Sequence, residues 1–110
     1  VRVWVRRVPT DLRNGYGGLY DIVRREFARD PMSGDAFLFT NGRRKSTKVL
    51  LWDGTGLCIF SKRLSVGLFS CLFGGAPGSL LTMTTSELAL FLEGADVARK
   101  LPISPDIFTL

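Results

Sequence analysis

Lys48-Val49-Leu50-Leu51-Trp52-Asp53-Gly54-Thr55-Gly56-Leu57-Cys58-Ile59-Phe60-Ser61 is the stretch that sets the fold class. Two apolar runs of strand length, rich in β-branched and aromatic residues, flank Asp53-Gly54, a pair that favours the positive φ angles of a tight hairpin turn. It reads as a β-hairpin, Val49–Trp52 against Leu57–Ser61. Folding it brings Lys48 beside Lys62 and Arg63 at the end away from the turn. With Arg43, Arg44 and Lys45 just upstream, six cations are expected to share one end.

Upstream of the hairpin, Ala36–Thr40 reads as a strand around Phe37-Leu38-Phe39, so three antiparallel strands follow in series. The Asn41–Ser46 loop and the exit at Lys62-Arg63 then lie at one end of the sheet, and the Asp53–Gly56 turn at the other. Leu19, Ile22, Val23 and Phe27 have helical spacing, with Asp21, Arg24, Arg25 and Arg29 facing water, and Asp30-Pro31 is expected to stop the helix. Thr10 or Asp11 can cap its start. Val1–Val8 alternates Val1, Val3 and Val5 with Arg2, Trp4 and Arg6, the pattern of a strand covered on one face.

Downstream, residues 66–79 form a glycine-rich apolar segment with room for a short strand at Leu68–Phe73. Leu80–Met83 fits a last strand. Thr84 and Glu87 have capping-box spacing ahead of a helix whose buried stripe is Leu88, Phe91, Leu92 and Ala95, and Gly94 can end it early. Residues 97–110, with Pro102 and Pro105, read as an irregular tail. No repeat or linker divides the 110 residues, so 1–110 is expected to be a single domain. The expected class is α+β: a small antiparallel sheet of about four or five strands with two helices packed on one face.

The formal charge is +5, and arginine supplies 11 of the 15 cations. Guanidinium forks suit phosphate, so an anionic partner fits this balance, as does a solvated basic face. The absence of histidine removes the usual Ser/His/Asp and Cys/His arrangements and the commonest metal ligand. Cys58 and Cys71 match no zinc spacing and read as small buried hydrophobes. No apolar run is long enough to span a bilayer, so the expected location is cytoplasmic, with no membrane partner.

Arg43, Arg44, Lys45, Lys48, Lys62 and Arg63 are the candidate nucleic-acid-binding residues. Cations without an intervening acid concentrate positive potential and release counterions from a phosphate backbone. The same residues also fit a solvated loop with edge lysines that discourage sheet pairing. Trp4, Tyr16 or Trp52 could add base stacking, although Trp52 also fits a core position. Gly15-Tyr16-Gly17-Gly18 lacks Walker spacing and reads as a helix entry. Asp11, Asp30, Asp35 and Asp53 are the acids a metal-dependent nuclease would need. Caps, a proline boundary and a turn already explain three of them, so no catalytic residue, metal or cofactor is assigned.

Several pieces together resemble a known family. They are Thr10-Asp11-Leu12-Arg13-Asn14-Gly15, Asp30-Pro31-Met32-Ser33-Gly34, Phe37-Leu38-Phe39 with Arg43-Arg44, the block Lys48 to Cys58, and Lys62-Arg63-Leu64. In order and spacing these resemble the small accessory protein (TnpB) of bacterial insertion sequences of the 66 family, a family distinct from the RNA-guided nuclease that shares the short name. The resemblance is strongest over residues 1–69 and returns at Leu88 to Gly94, while the segment after Gly67 and the tail depart from the pattern. It implies a non-catalytic protein made beside a larger transposase and needed for efficient transposition. DNA at the transposon ends, the element's transposase, or both are the implied partners. The alternative is a protein-interaction module that contacts the transposase through the apolar 66–72 segment, without touching DNA.

Overall fold

The computed structural model describes residues 1–76 and 80–95. At its centre is a strand, Ala36–Thr40, whose five residues are all buried. Successive side chains of a strand point to opposite faces, so Phe37 and Phe39 enter one apolar layer while Ala36 and Leu38 enter another. Both faces of this strand therefore need cover. In chain order the strands are β1 (Val3–Val5), β2 (Ala36–Thr40), β3 (Ser46–Trp52), β4 (Leu57–Arg63) and β5 (Leu81–Met83), arranged β4-β3-β2-β1-β5. The expected hairpin is present as β3 and β4, longer than anticipated, with Trp52 opposite Leu57 and Ser46 opposite Arg63.

Helix α1 (Tyr16–Ile22) runs on into a π-helical segment, Val23–Phe27, on one face of the sheet. The four residues of its apolar spacing, Leu19, Ile22, Val23 and Phe27, are buried with Trp4, Phe37, Phe39 and Leu50. Helix α2 (Thr85–Leu92) lies on the other face, where Phe91 joins Val3, Val5, Leu38, Val49, Leu64 and Phe69. The expected capping box opens it: Glu87 N donates to Thr84 Oγ1 at 3.1 Å, and Thr84 N donates to Glu87 Oε1 at 2.9 Å. Gly94 ends it with φ +98°, and a Cβ there would meet Leu64 Cδ1 at 3.2 Å. No helix among the described residues is long and apolar enough to cross a membrane.

The α+β class and the strand number are as expected, but three arrangements differ. The sheet is mixed, because β1 reaches β2 through a helical crossover, a connection that returns the chain parallel. The helices cover opposite faces, because β1 and β2 are apolar on both sides. Trp4 is not an outward residue: it is 4% exposed, lies under the Arg29 guanidinium at 4.1 Å from the ring centroid, and donates Nε1–H to Asp35 Oδ2 at 3.1 Å.

Other boundaries shift as well. Gly15 is the α1 N-cap, and the helical segment stops at Phe27 because Ala28 adopts φ +52°, ahead of Pro31. Residues 68–73 form no strand: their backbone groups bond to the loop after β2, to Arg7 and to Ala95 beyond α2, not to a sheet neighbour. Phe69 is nonetheless fully buried, stacked on Phe91 with centroids 5.2 Å apart. Of the stripe expected in α2, Phe91 is buried, Leu88 and Leu92 are half-buried, and Ala95 is exposed. Cys58 is half-buried, Cys71 is exposed, and both are free thiols. The tail from residue 97 lies outside the described residues.

The hairpin turn is closed by one carboxylate. Asp53 Oδ1 accepts from Thr55 N at 2.9 Å, Thr55 Oγ1 at 3.0 Å and Gly56 N at 3.0 Å, while Gly54 takes φ +104°. Hydrogen bonds from the Thr55 backbone first, then its hydroxyl and Gly56, hold the Asp53 carboxyl at about 2 against an ordinary 3.8. Such a group stabilises the fold fully above its ordinary pKa and ceases to do so as the pH falls through its folded value. In urea titrations from about pH 5 to 2, D53N is therefore expected to lose stability less steeply than the wild type, with the remaining slope including Asp11. Phe69→Ala, which empties a fully buried position between the sheet and α2, is expected to cost about 3–5 kcal/mol in the same assay.

Candidate functional site

The C-terminal ends of β1, β2 and β4 and the start of β3 meet at one end of the sheet. The loop joining β2 to β3 is built around Asn41, whose Oδ1 accepts from Lys45 N at 3.0 Å and Ser46 N at 3.1 Å. Arg44 turns the chain in the left-handed region at φ +57°, and its N–H donates to Asn41 O. A second segment is stapled to this loop. Phe69 N donates to Arg44 O at 2.8 Å, Arg44 Nη1 to Phe69 O at 3.2 Å, and Lys45 Nζ to Gly67 O at 3.0 Å.

The six cations anticipated at this end are all there, but they do not form one patch. Lys48 faces Ser61 across the hairpin and Lys62 faces Thr47, so their side chains leave opposite sides of the sheet. On the α1 side Lys48 Nζ donates to Asn14 O at 3.0 Å. On the α2 side Lys62 Nζ donates to Leu92 O at 2.7 Å, at the negative end of that helix. Arg44, Lys45, Lys48 and Lys62 are thus each bound to a backbone carbonyl of their own chain. Arg43 and Arg63 are exposed, and their side chains make no hydrogen bond or ion pair among the described residues.

Arg43 and Arg63 line one groove of about 1000 Å³ together with Arg13, Asn41, Lys45 and Leu68. Arg13 arrives from the segment ahead of α1, which Thr10 N fixes to the end of β2 by donating to Thr40 O at 2.9 Å. Its side chain is 91% exposed and grips Asp11 through Nη2–H at 2.6 Å and Nε–H at 3.0 Å. The Arg13 side-chain hydrogen bond holds the Asp11 carboxyl at about 2, and the same pair raises the Arg13 pKa. Neither periodicity nor charge spacing in the sequence marks Arg13 as part of this end, and its place in the Thr10–Gly15 motif gives no location either.

Four cations therefore line the groove, with one carboxylate nearby. Planar forks of this kind donate paired hydrogen bonds to phosphate oxygens. The acids weighed for metal-dependent cleavage do not converge there. Asp53 closes the turn at the far end of the sheet, Asp30 Oδ1 accepts from Met32 N, and Asp11 is bound to Arg13. Among the described residues no group of three His, Cys, Asp or Glu side chains stands close enough to hold a metal ion. Trp4 is buried, while Tyr16 is exposed at the start of α1 and Trp52 is half-buried at the turn end of β3, none of them lining the groove. In the 66–72 segment only Val66, Ser70 and Cys71 are exposed.

Comparison with known proteins gives this geometry a family. The sequence model described as IS66 Orf2 like protein matches residues 1–101, well beyond the block in which the motifs are densest. Among curated relatives, the uncharacterized protein y4hO of Sinorhizobium fredii is 35% identical over 97 residues, covering 87% of this chain and 82% of that protein. The uncharacterized protein y4jC of the same organism is 32% identical over 99 residues, covering 90% and 83%. No solved structure gives a significant match. With one family model spanning most of its length and two relatives sharing about a third of its residues, the chain belongs to the IS66 Orf2-like family, accessory proteins of insertion-sequence transposition.

Proposed function

We propose that this protein is a non-catalytic transposition accessory that binds DNA at the transposon ends, alone or beside the transposase, through Arg43 and Arg63 with Arg13 and Lys45 flanking them. One observation carries this reading: of the six cations expected at this end, four hold the chain's own carbonyls and two are left free on the rim of one groove. Free arginines at a groove serve an anionic partner better than they serve the fold. Backbone phosphates need no more than such forks, and neutralising them releases counterions. Contact with the transposase through the 66–72 segment has less to recommend it, because Phe69 is committed to the core.

The reading separates the two sets of cations. In a binding titration with duplex DNA from the element's ends, affinity is expected to fall steeply with salt. R43E and R63E are each expected to weaken binding about tenfold and to make the salt dependence shallower by about one unit of slope per lost contact. Their thermal midpoints are expected to stay at the wild-type value. Lys48→Ala and Lys62→Ala, which break bonds to Asn14 O and Leu92 O, are expected instead to lower stability by about 1 kcal/mol. Binding indifferent to salt and to both reversals would overturn the proposal, and capture of the transposase that survives nuclease treatment would favour the protein-contact alternative.

A further inference from the structure

β4 is one of the two outer strands of the sheet and, among the described residues, is hydrogen-bonded on one side only. The bonds Asp53 N to Gly56 O and Leu64 N to Lys45 O fix the phase of the β3–β4 ladder. Cys58, Phe60 and Lys62 turn their backbone groups inward to β3, whereas Leu57, Ile59, Ser61 and Arg63 turn N–H and C=O outward. Natural edge strands are blunted by proline, a bulge or charges. Leu57–Ser61 contains no proline and no charge, and its register with β3 runs without a bulge. At the midpoint of the strand stands Phe60, 50% exposed.

We propose that β4 pairs antiparallel with β4 of a second copy of this chain, about a two-fold axis at Phe60, joining two five-stranded sheets into one. What selects a second copy is self-complementarity. With Phe60 opposite its own counterpart, Ile59 stands opposite Ser61 of the second copy and Leu57 opposite Arg63. These are the residues with outward backbone groups, so the two-fold ladder holds about eight hydrogen bonds. Phe60 itself falls at a non-hydrogen-bonded position, where cross-strand side chains approach closest.

Charge follows the same symmetry. Cys58 stands opposite Lys62 of the second copy, and Cys58 Sγ lies 3.5 Å from Asp53 Oδ2. The cationic end of each strand therefore meets the carboxylate end of the other. Lys62 can serve both contacts, since an ammonium that donates one hydrogen to Leu92 O has two left. Parallel pairing of the same edges would instead set Lys62 and Arg63 against their own copies, at a cost in repulsion. A strand from an unrelated protein has no reason to carry this reversed charge order, whereas a second copy carries it by symmetry.

Light scattering of the full chain between about 1 and 100 μM is expected to show a mass that rises from monomer to dimer. F60K sets two ammonium groups at the closest cross-strand position and is expected to raise the dissociation constant at least about tenfold, with the circular dichroism of the monomer unchanged. In a chain carrying C58S and C71S, F60C is expected to form a disulfide-linked dimer under mild oxidation, and S65C, off the axis, is not. A chain that stays monomeric across the range, or a dimer that F60K leaves intact, overturns the proposal. A dimer weakened by F60K but not cross-linked through F60C overturns the two-fold register. DNA binding is read separately, so either inference can fail without the other.

Discussion

Five consecutive residues that must be kept from water on both sides govern this structure. Ala36–Thr40 has no polar face to offer solvent, so the chain has to build one layer against Phe37 and Phe39 and a second against Ala36 and Leu38. The first is a helical crossover that returns the chain beside the strand it left. The second is assembled from what remains: a short helix, Leu64, and an irregular segment that contributes Phe69. Removing solvent from both faces contributes most of the favourable free energy available to so small a domain. It also explains why residues 67–72 are anchored by a buried Phe69 and by bonds to the loop after β2 although they belong to no strand.

The basic end shows a second economy of the fold. At a helix end and in irregular segments, carbonyl oxygens are left without helix or ladder partners, and those turned away from water need donors. Lys45, Lys48 and Lys62 supply ammonium groups to three such oxygens, and Arg44 supplies a guanidinium to a fourth. Counting cations in the sequence therefore overstates how many face a partner. What remains is a smaller and better-defined feature, two free arginines and a third that is bound to its neighbouring carboxylate, around a single groove.

The hairpin, its Asp-Gly turn, the apolar face of α1 and the capping box of α2 were legible because each is a local pattern whose partners lie a few residues apart. Sheet direction and helix placement were not, since they depend on whether β1 is covered once or twice, and a tryptophan between two arginines looks outward until Asp35 and Arg29 are brought to it. The site was half legible for the same reason. The sequence shows that six cations reach one end, but which of them are tied down is decided by Asn14, Gly67, Phe69 and Leu92, from distant parts of the chain. Arg13 was hidden because it is carried there by the segment between β1 and α1, which has no periodic signal of its own.

The strand order also sets a timetable. Trp4 pairs with Phe37 on one side and with Thr82 on the other, so the first strand of the chain becomes an interior strand only when nearly the last described element arrives. As the polypeptide leaves the ribosome, the β2–β3–β4 meander and the helical crossover can close while one flank of β1 still stands open and unpaired. Until then that flank carries unpaired backbone N–H and C=O groups, and the three residues of β5 are what finally cover it.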